Sequence, residues 1–322
     1  MLLTVSTYRQ AGDQGLWSVW IEDGLAPLTL GAVALIATGL VAWFLAATGQ
    51  LLPHDVAWLT ISADELRAVA DGRVVDFMDH DRAAFGGTLV AIGLLYLWLI
   101  RFPLVEGQRW AWRTLVVSAA IGFASFLTYL GTGYLDAWHG AGTLALLPIF
   151  GLGLWFARGR VAVHAPSRWP GDRRTSVGRG LLLLTGLGMV VAGLVIATIG
   201  ALVVFVPQDL EFLGMDRLAL EAVDPHLVPL IAHDRAGFGG GLAATGVVVL
   251  AVVRFGSPSR ALWQSLLLAG AAGFGAAIGV HELIGYTDLT HVGPAFVAAS
   301  LYAAGMVLVH PAMMRREAYG SR

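Results

Sequence analysis

Eight runs of 18 or more residues carry no charge or almost none: 28–49, 83–100, 114–135, 140–157, 181–206, 236–253, 261–280 and 292–309. A run of that length crosses a hydrocarbon core of about 30 Å as a helix. In lipid the backbone must satisfy its own hydrogen bonds, which favours helices there. The expected fold class is therefore all-α, a polytopic membrane protein with eight transmembrane helices. The alternating pattern of an outer-membrane barrel is not seen. A mean hydropathy of +0.72 and 13% charged residues agree with this class. The chain has no cysteine, which excludes disulfides, thiolate metal sites and cysteine catalysis. Nothing in it points to nucleic acid.

The runs are organised as a tandem duplication. His80-Asp81-Arg82-Ala83-Ala84-Phe85-Gly86-Gly87 returns as His233-Asp234-Arg235-Ala236-Gly237-Phe238-Gly239-Gly240, and 13 of 23 positions from His80 match their counterparts from His233. Each copy is followed by an Asp-x-x-His: Asp136 with His139, and Asp288 with His291. Two connections, 50–82 and 207–235, also correspond, opening on Pro53-His54-Asp55 and Pro207-Gln208-Asp209. Ser62-Ala63-Asp64-Glu65 reads as a capping box, and Asp224-Pro225 as a helix start. Short helices are expected over the outer mouth of the bundle. The chain divides into an N-terminal segment (1–27), repeat one (28–157), a basic linker (158–180), repeat two (181–310) and a tail (311–322). Four spans per repeat is an even number, so the repeats share one orientation and are related by an axis along the membrane normal.

Arginine sets the orientation. The connections after spans two, four and six, together with the tail, hold most of the arginines, which makes that side cytoplasmic. Both termini are then inside a bacterial plasma (inner) membrane. The opposite side holds seven of the nine histidines. The basic linker suits anionic lipid headgroups.

His80 and His233 fall at the outer ends of spans two and six, and His139 and His291 at the outer ends of spans four and eight. Two facing helices that each offer one imidazole can hold a haem iron between them. The axial pairs expected are His80 with His139 and His233 with His291. Small residues one and two turns on, Ala84 with Gly87 and Gly237 with Gly240, leave room for a macrocycle. Arg82 and Arg235 suit propionates. Asp81, Asp136, Asp234 and Asp288 would orient the imidazoles.

This layout of eight spans, two parallel halves and a histidine near the outer end of each even span resembles the haem A synthase family. A His followed closely by Arg at the start of spans two and six is similar too. The resemblance implies haem at His80, His139, His233 and His291. It departs where the family carries a catalytic Glu three residues before the first His: here Phe77 stands there, and Asp76 and Asp79 are the nearest carboxylates. The chain also resembles actinobacterial integral membrane proteins. The function expected is a haem-binding membrane oxidoreductase or electron-transfer cytochrome, with a redox partner or a quinone and a possible oligomer. His281, Glu282 and Asp76 are the candidate catalytic residues.

Other readings compete. Zinc or non-haem iron could take His80, Asp81, Asp136 and His139, although adjacent His and Asp point about 100° apart on a helix. A carrier or a structural subunit would use the His-Asp-Arg clusters for ion or partner contacts. The plain structural reading makes Asp81, Asp234, Asp136 and Asp288 helix caps.

Overall fold

The computed structural model describes residues 24–134, 137–162, 167 and 169–315, with the side chains of 137–139 outside the description. Most of the N-terminal segment, Asp136, the His139 side chain and most of the tail therefore lie outside the described residues. The described residues form helices and no strand: α1 (Leu25–Thr48), α2 (Pro53–Trp58), α3 (Ala63–Ala68), α4 (Arg73–Leu99), α5 (Arg109–Ser125), α6 (Ala137–Ala157), α7 (Arg173–Leu202), α8 (Pro207–Leu213), α9 (Arg217–Val223), α10 (Leu227–Phe255), α11 (Arg260–Ile284) and α12 (Leu289–Met314). Short helical turns continue α5 to Thr132. Eight of these helices are long and apolar enough to cross a membrane, and they correspond to the eight apolar runs.

Two helices form the centre. In α4, 83% of the most apolar stretch is buried, and in α10 67%, against 28% or less in the other six spans. Helix α4 packs on α1, α11 and α10, while α10 packs on α7, α5 and α4. Helix α6 closes on α1 and α5, and α12 on α7 and α11. Helices α7 and α10 cross closely. A Cβ added to Gly193 would lie 2.5 Å from the Gly239 carbonyl oxygen, and one on Gly239 would lie 2.3 Å from the Ala197 nitrogen. Glycine there lets the two backbones touch.

The helix starts correct one expectation. Helix α4 begins ten residues before the charge-free run at 83–100, and α10 nine residues before the run at 236–253. The charged triplets sit inside helices, and Asp81 and Asp234 are therefore not caps. Burial inside the protein, with charged partners, replaces exposure at a helix end. Asp288 does cap α12, accepting from the backbone N–H groups of Thr290 and His291 at 3.0 Å each. Helix α7 likewise starts within the expected linker, capped by Asp172.

The short helices lie where the two Pro-x-Asp segments begin, each with proline in its first turn. Ser62 and Glu65 form the expected capping box on α3. Asp224 does not start a helix; it ties the two connections together. One of its carboxylate oxygens accepts from Thr60 N, Thr60 Oγ1 and Ile61 N, and the other from His226 N. Burial alone would push the Asp224 carboxyl up, but these hydrogen bonds hold it below the usual carboxylate range. Its stabilising contribution is thus fully present above the unfolded value of about 3.9, and is lost as pH falls through the lower folded value. Asp224→Asn is expected to cost about 2 kcal/mol at neutral pH. The deficit should shrink on strong acidification, as read from unfolding in mixed micelles at several pH values.

Candidate functional site

Three consecutive residues of α4 point in three directions, since each step along a helix turns the side chain by about 100°. Arg82 meets Asp55 of α2, with Nη2 2.5 Å from Oδ2, and Asp234 of α10, with Nε 3.3 Å from Oδ2. Arg235 of α10 holds Asp209 of α8 through both terminal nitrogens and places Nε 3.4 Å from Asp81 Oδ2. Each arginine thus joins the Pro-x-Asp aspartate of its own half to the His-Asp-Arg aspartate of the other half. Two tyrosines complete the arrangement: Tyr134 OH donates to Asp55 at 2.6 Å, and Tyr286 OH to Asp209 at 2.8 Å. All these groups are buried except Asp234, which is nearly so. The arginines expected to meet propionates are already held by carboxylates. Asp55, Asp209, Tyr134 and Tyr286 were not assigned from sequence, although each occurs at matching places in the two halves.

The imidazoles assemble across the halves. His80 of α4 meets His281 of α11, their Nε2 atoms 3.0 Å apart. His291 at the start of α12 completes the group, and one ligand nitrogen from each ring lies within 4.8 Å of the other two. The expected partner of His291 was His233; the expected partner of His80 was His139, whose side chain lies outside the described residues. Helix α4 packs into the second half against α11, which brings His281 and His291 to His80. The Nδ1 atoms face acceptors: that of His281 donates to the Ala277 carbonyl at 2.5 Å, that of His80 lies 3.1 Å from Asp81 Oδ1, and that of His291 lies 3.8 Å from Asp209 Oδ1. The Nε2 atoms of His80 and His281 thus face each other at hydrogen-bond distance, with one proton between them.

His233 has different company. The Tyr129 ring stacks on it at a centroid distance of 3.9 Å, and Tyr134 meets it edge-on at 4.8 Å. Tyr129 stands in the first half where His281 stands in the second.

A partly open cavity lies on each side of the central pair. The larger, about 890 Å³, lies between α4, α7, α10, α11 and α12, and His80, His281 and His291 line it. The smaller, about 270 Å³, lies between α1, α4, α5, α6 and α10, and no histidine lines it among the described residues. Aromatic side chains fill it: Phe85, Tyr96, Phe123, Phe126 and Phe150. Of the candidate catalytic residues, His281 is in the cluster, Glu282 is exposed and Asp76 is half-buried one turn before His80 on α4.

The fold and this cluster define a multi-pass helical membrane protein with a largely buried cluster of three histidines. No protein-family model, curated protein or solved structure matches the chain.

Proposed function

We propose that this protein is a metal-dependent membrane protein whose ion is held by His80, His281 and His291 and is presented to the large cavity. The observation that carries the reading is the convergence of three imidazoles within 4.8 Å at that cavity. In a tetrahedral site with metal–nitrogen bonds of about 2.0–2.1 Å, ligand nitrogens sit roughly 3.3–3.4 Å apart. Small ring movements bring the three donors to that spacing. The two facing Nε2 atoms share one proton, whereas a cation engages the lone pairs of both. The acceptors at Asp81, Asp209 and the Ala277 carbonyl set ring orientation, as outer-shell partners of metal-bound histidines do.

Haem between paired imidazoles suits this donor set less well. A macrocycle needs the two nitrogens about 4 Å apart on opposite faces, with its plane between them. His80 and His281 touch directly, and His291 adds a third donor. Imidazoles favour zinc, copper, iron or nickel. Three protein ligands leave a coordination position open, so the ion would supply a Lewis-acid or redox centre. We further propose that the two repeats are related by a pseudo-twofold axis along the membrane normal. Both termini would then be cytoplasmic in a bacterial inner membrane, with the histidine centre near the outer face. The second half would carry the working site, and the first, with Tyr129 and the smaller cavity, would serve as its structural counterpart.

The test is elemental analysis and an absorption spectrum of detergent-purified protein, followed by loading with cobalt(II). One transition-metal ion per chain is expected, without a Soret band, and affinity should fall on acidification because protons compete for the imidazoles. A Soret band with one haem per chain, or no ion bound even after loading, would overturn the reading.

A further inference from the structure

We infer that the large cavity holds a single-headed lipid: one long apolar tail with a neutral, oxygen-bearing head, such as an alcohol or carbonyl, set against the histidine centre. This deepens the metal-centre reading and rests on it for the role of the head.

The shape of the cavity carries the tail. On α4 its lining runs from His80 through Ala84, Thr88 and Ala91 to Leu95. Fifteen steps along a helix span about 22 Å, most of the thickness of a hydrocarbon core. A volume of about 890 Å³ over that length suits a long chain. Small side chains make the space. The same wall position is Leu146 in the first half and Ala298 in the second, and Tyr96 is matched by Val249.

The placement of polar groups carries the single head. Along the shaft, each hydroxyl is already committed to a backbone carbonyl: Thr88 to Ala84, Thr185 to Leu181, Thr245 to Gly241 and Tyr302 to Leu266. A ligand finds no free donor there. The remaining polar lining residues gather at the other end: the three histidines, Asp81, Arg235, Gln208 and Thr290. Arg235 is the one cation among the described lining residues, and Asp81 and Asp209 already share it. Asp55, Asp81, Asp209 and Asp234 outnumber Arg82 and Arg235 by two, so a divalent ion brings the group to formal neutrality and an anionic head would add an unbalanced charge, while a neutral oxygen can approach the open position of the ion.

The experiment measures saturable binding of radiolabelled 1-hexadecanol to the cobalt-loaded protein in detergent, beside palmitate and hexadecane. The Gly188→Phe variant is run in parallel. Gly188 lines the shaft, and a Cβ there meets nothing within 4 Å, so phenylalanine is accommodated and narrows the cavity. Gly188 is also 14 residues from the end of α7, about 20 Å from the histidine end. One hexadecanol per chain is expected, at least tenfold tighter than palmitate or hexadecane. Gly188→Phe should lose at least tenfold in that affinity while it keeps its cobalt. Equal binding of hexadecane, preference for palmitate, or no saturable binding by a cobalt-loaded protein would overturn the lipid assignment and leave the metal centre standing. Tight hexadecanol binding by a protein that takes no metal would support the lipid site and sink the metal reading instead.

Discussion

Arg235→Met is expected to lower stability by about 3–5 kcal/mol, the range for removing one partner of a buried ion pair. The guanidinium holds two carboxylates that have no water to turn to: Asp209 is fully buried and Asp81 is 1% exposed. Without it, Asp209 retains the Tyr286 hydroxyl and the Val206 amide, and Asp81 retains only its histidine neighbour. Two desolvated charges of the same sign then remain near each other. Neutralising them should recover much of the loss, so the triple change Arg235→Met, Asp209→Asn, Asp81→Asn separates the cost of unpaired charge from lost packing. The exposed pair Arg217–Glu221 is the control, and Arg217→Ala should cost less than about 1 kcal/mol. Denaturant unfolding in mixed micelles reads all three. A loss for Arg235→Met no larger than that control would show that the crossed ion pairs do not hold the halves together.

The second large effect concerns the ion. His281→Tyr is expected to weaken cobalt or zinc binding by at least about 100-fold, since loss of even an outer-shell partner of a metal ligand typically costs 10–100-fold. Tyrosine is chosen because Tyr129 occupies the matching position of the first half, where it stacks on His233 within a folded, buried setting. The variant should therefore fold, and helical content in detergent checks that it does. His80→Ala should have the same consequence, because its imidazole faces His281 at the centre of the group. Competition against a chromophoric chelator measures both. Wild-type affinity in either folded variant would remove the three-histidine centre from consideration.

How much of this was legible in the sequence depends on which interaction is considered. The spans were legible because lipid demands long apolar runs, and that demand is local. The capping box at Ser62 and Glu65 was legible because its partners are three residues apart. The extent of α4 was not. Its first turns carry Asp76, Asp79, Asp81 and Arg82, which read as a loop until Asp55 and Asp234 are seen to neutralise Arg82. Asp224 was legible as a turn residue, but its hydrogen bonds to Thr60 and Ile61 cross more than 160 positions. The site was legible in part. Repetition drew attention to His80, His291 and the arginines, and His281 stood out because the first half has Tyr129 in its place.

The amino-acid sequence by itself determined the helical class, the number of spans and the doubling of the His-Asp-Arg and Asp-x-x-His elements, since hydropathy and identity are properties of the chain read in order. Only the tertiary structure decided that the partners come from opposite halves. Helices α4 and α10 pack at the centre, so each turns a face into the other half, and His80 reaches His281 and His291 across 201 and 211 positions. Which faces meet follows from close packing, such as that of Gly193 on Gly239, and from the need to pair every buried charge, and neither is written in the spacing along the chain.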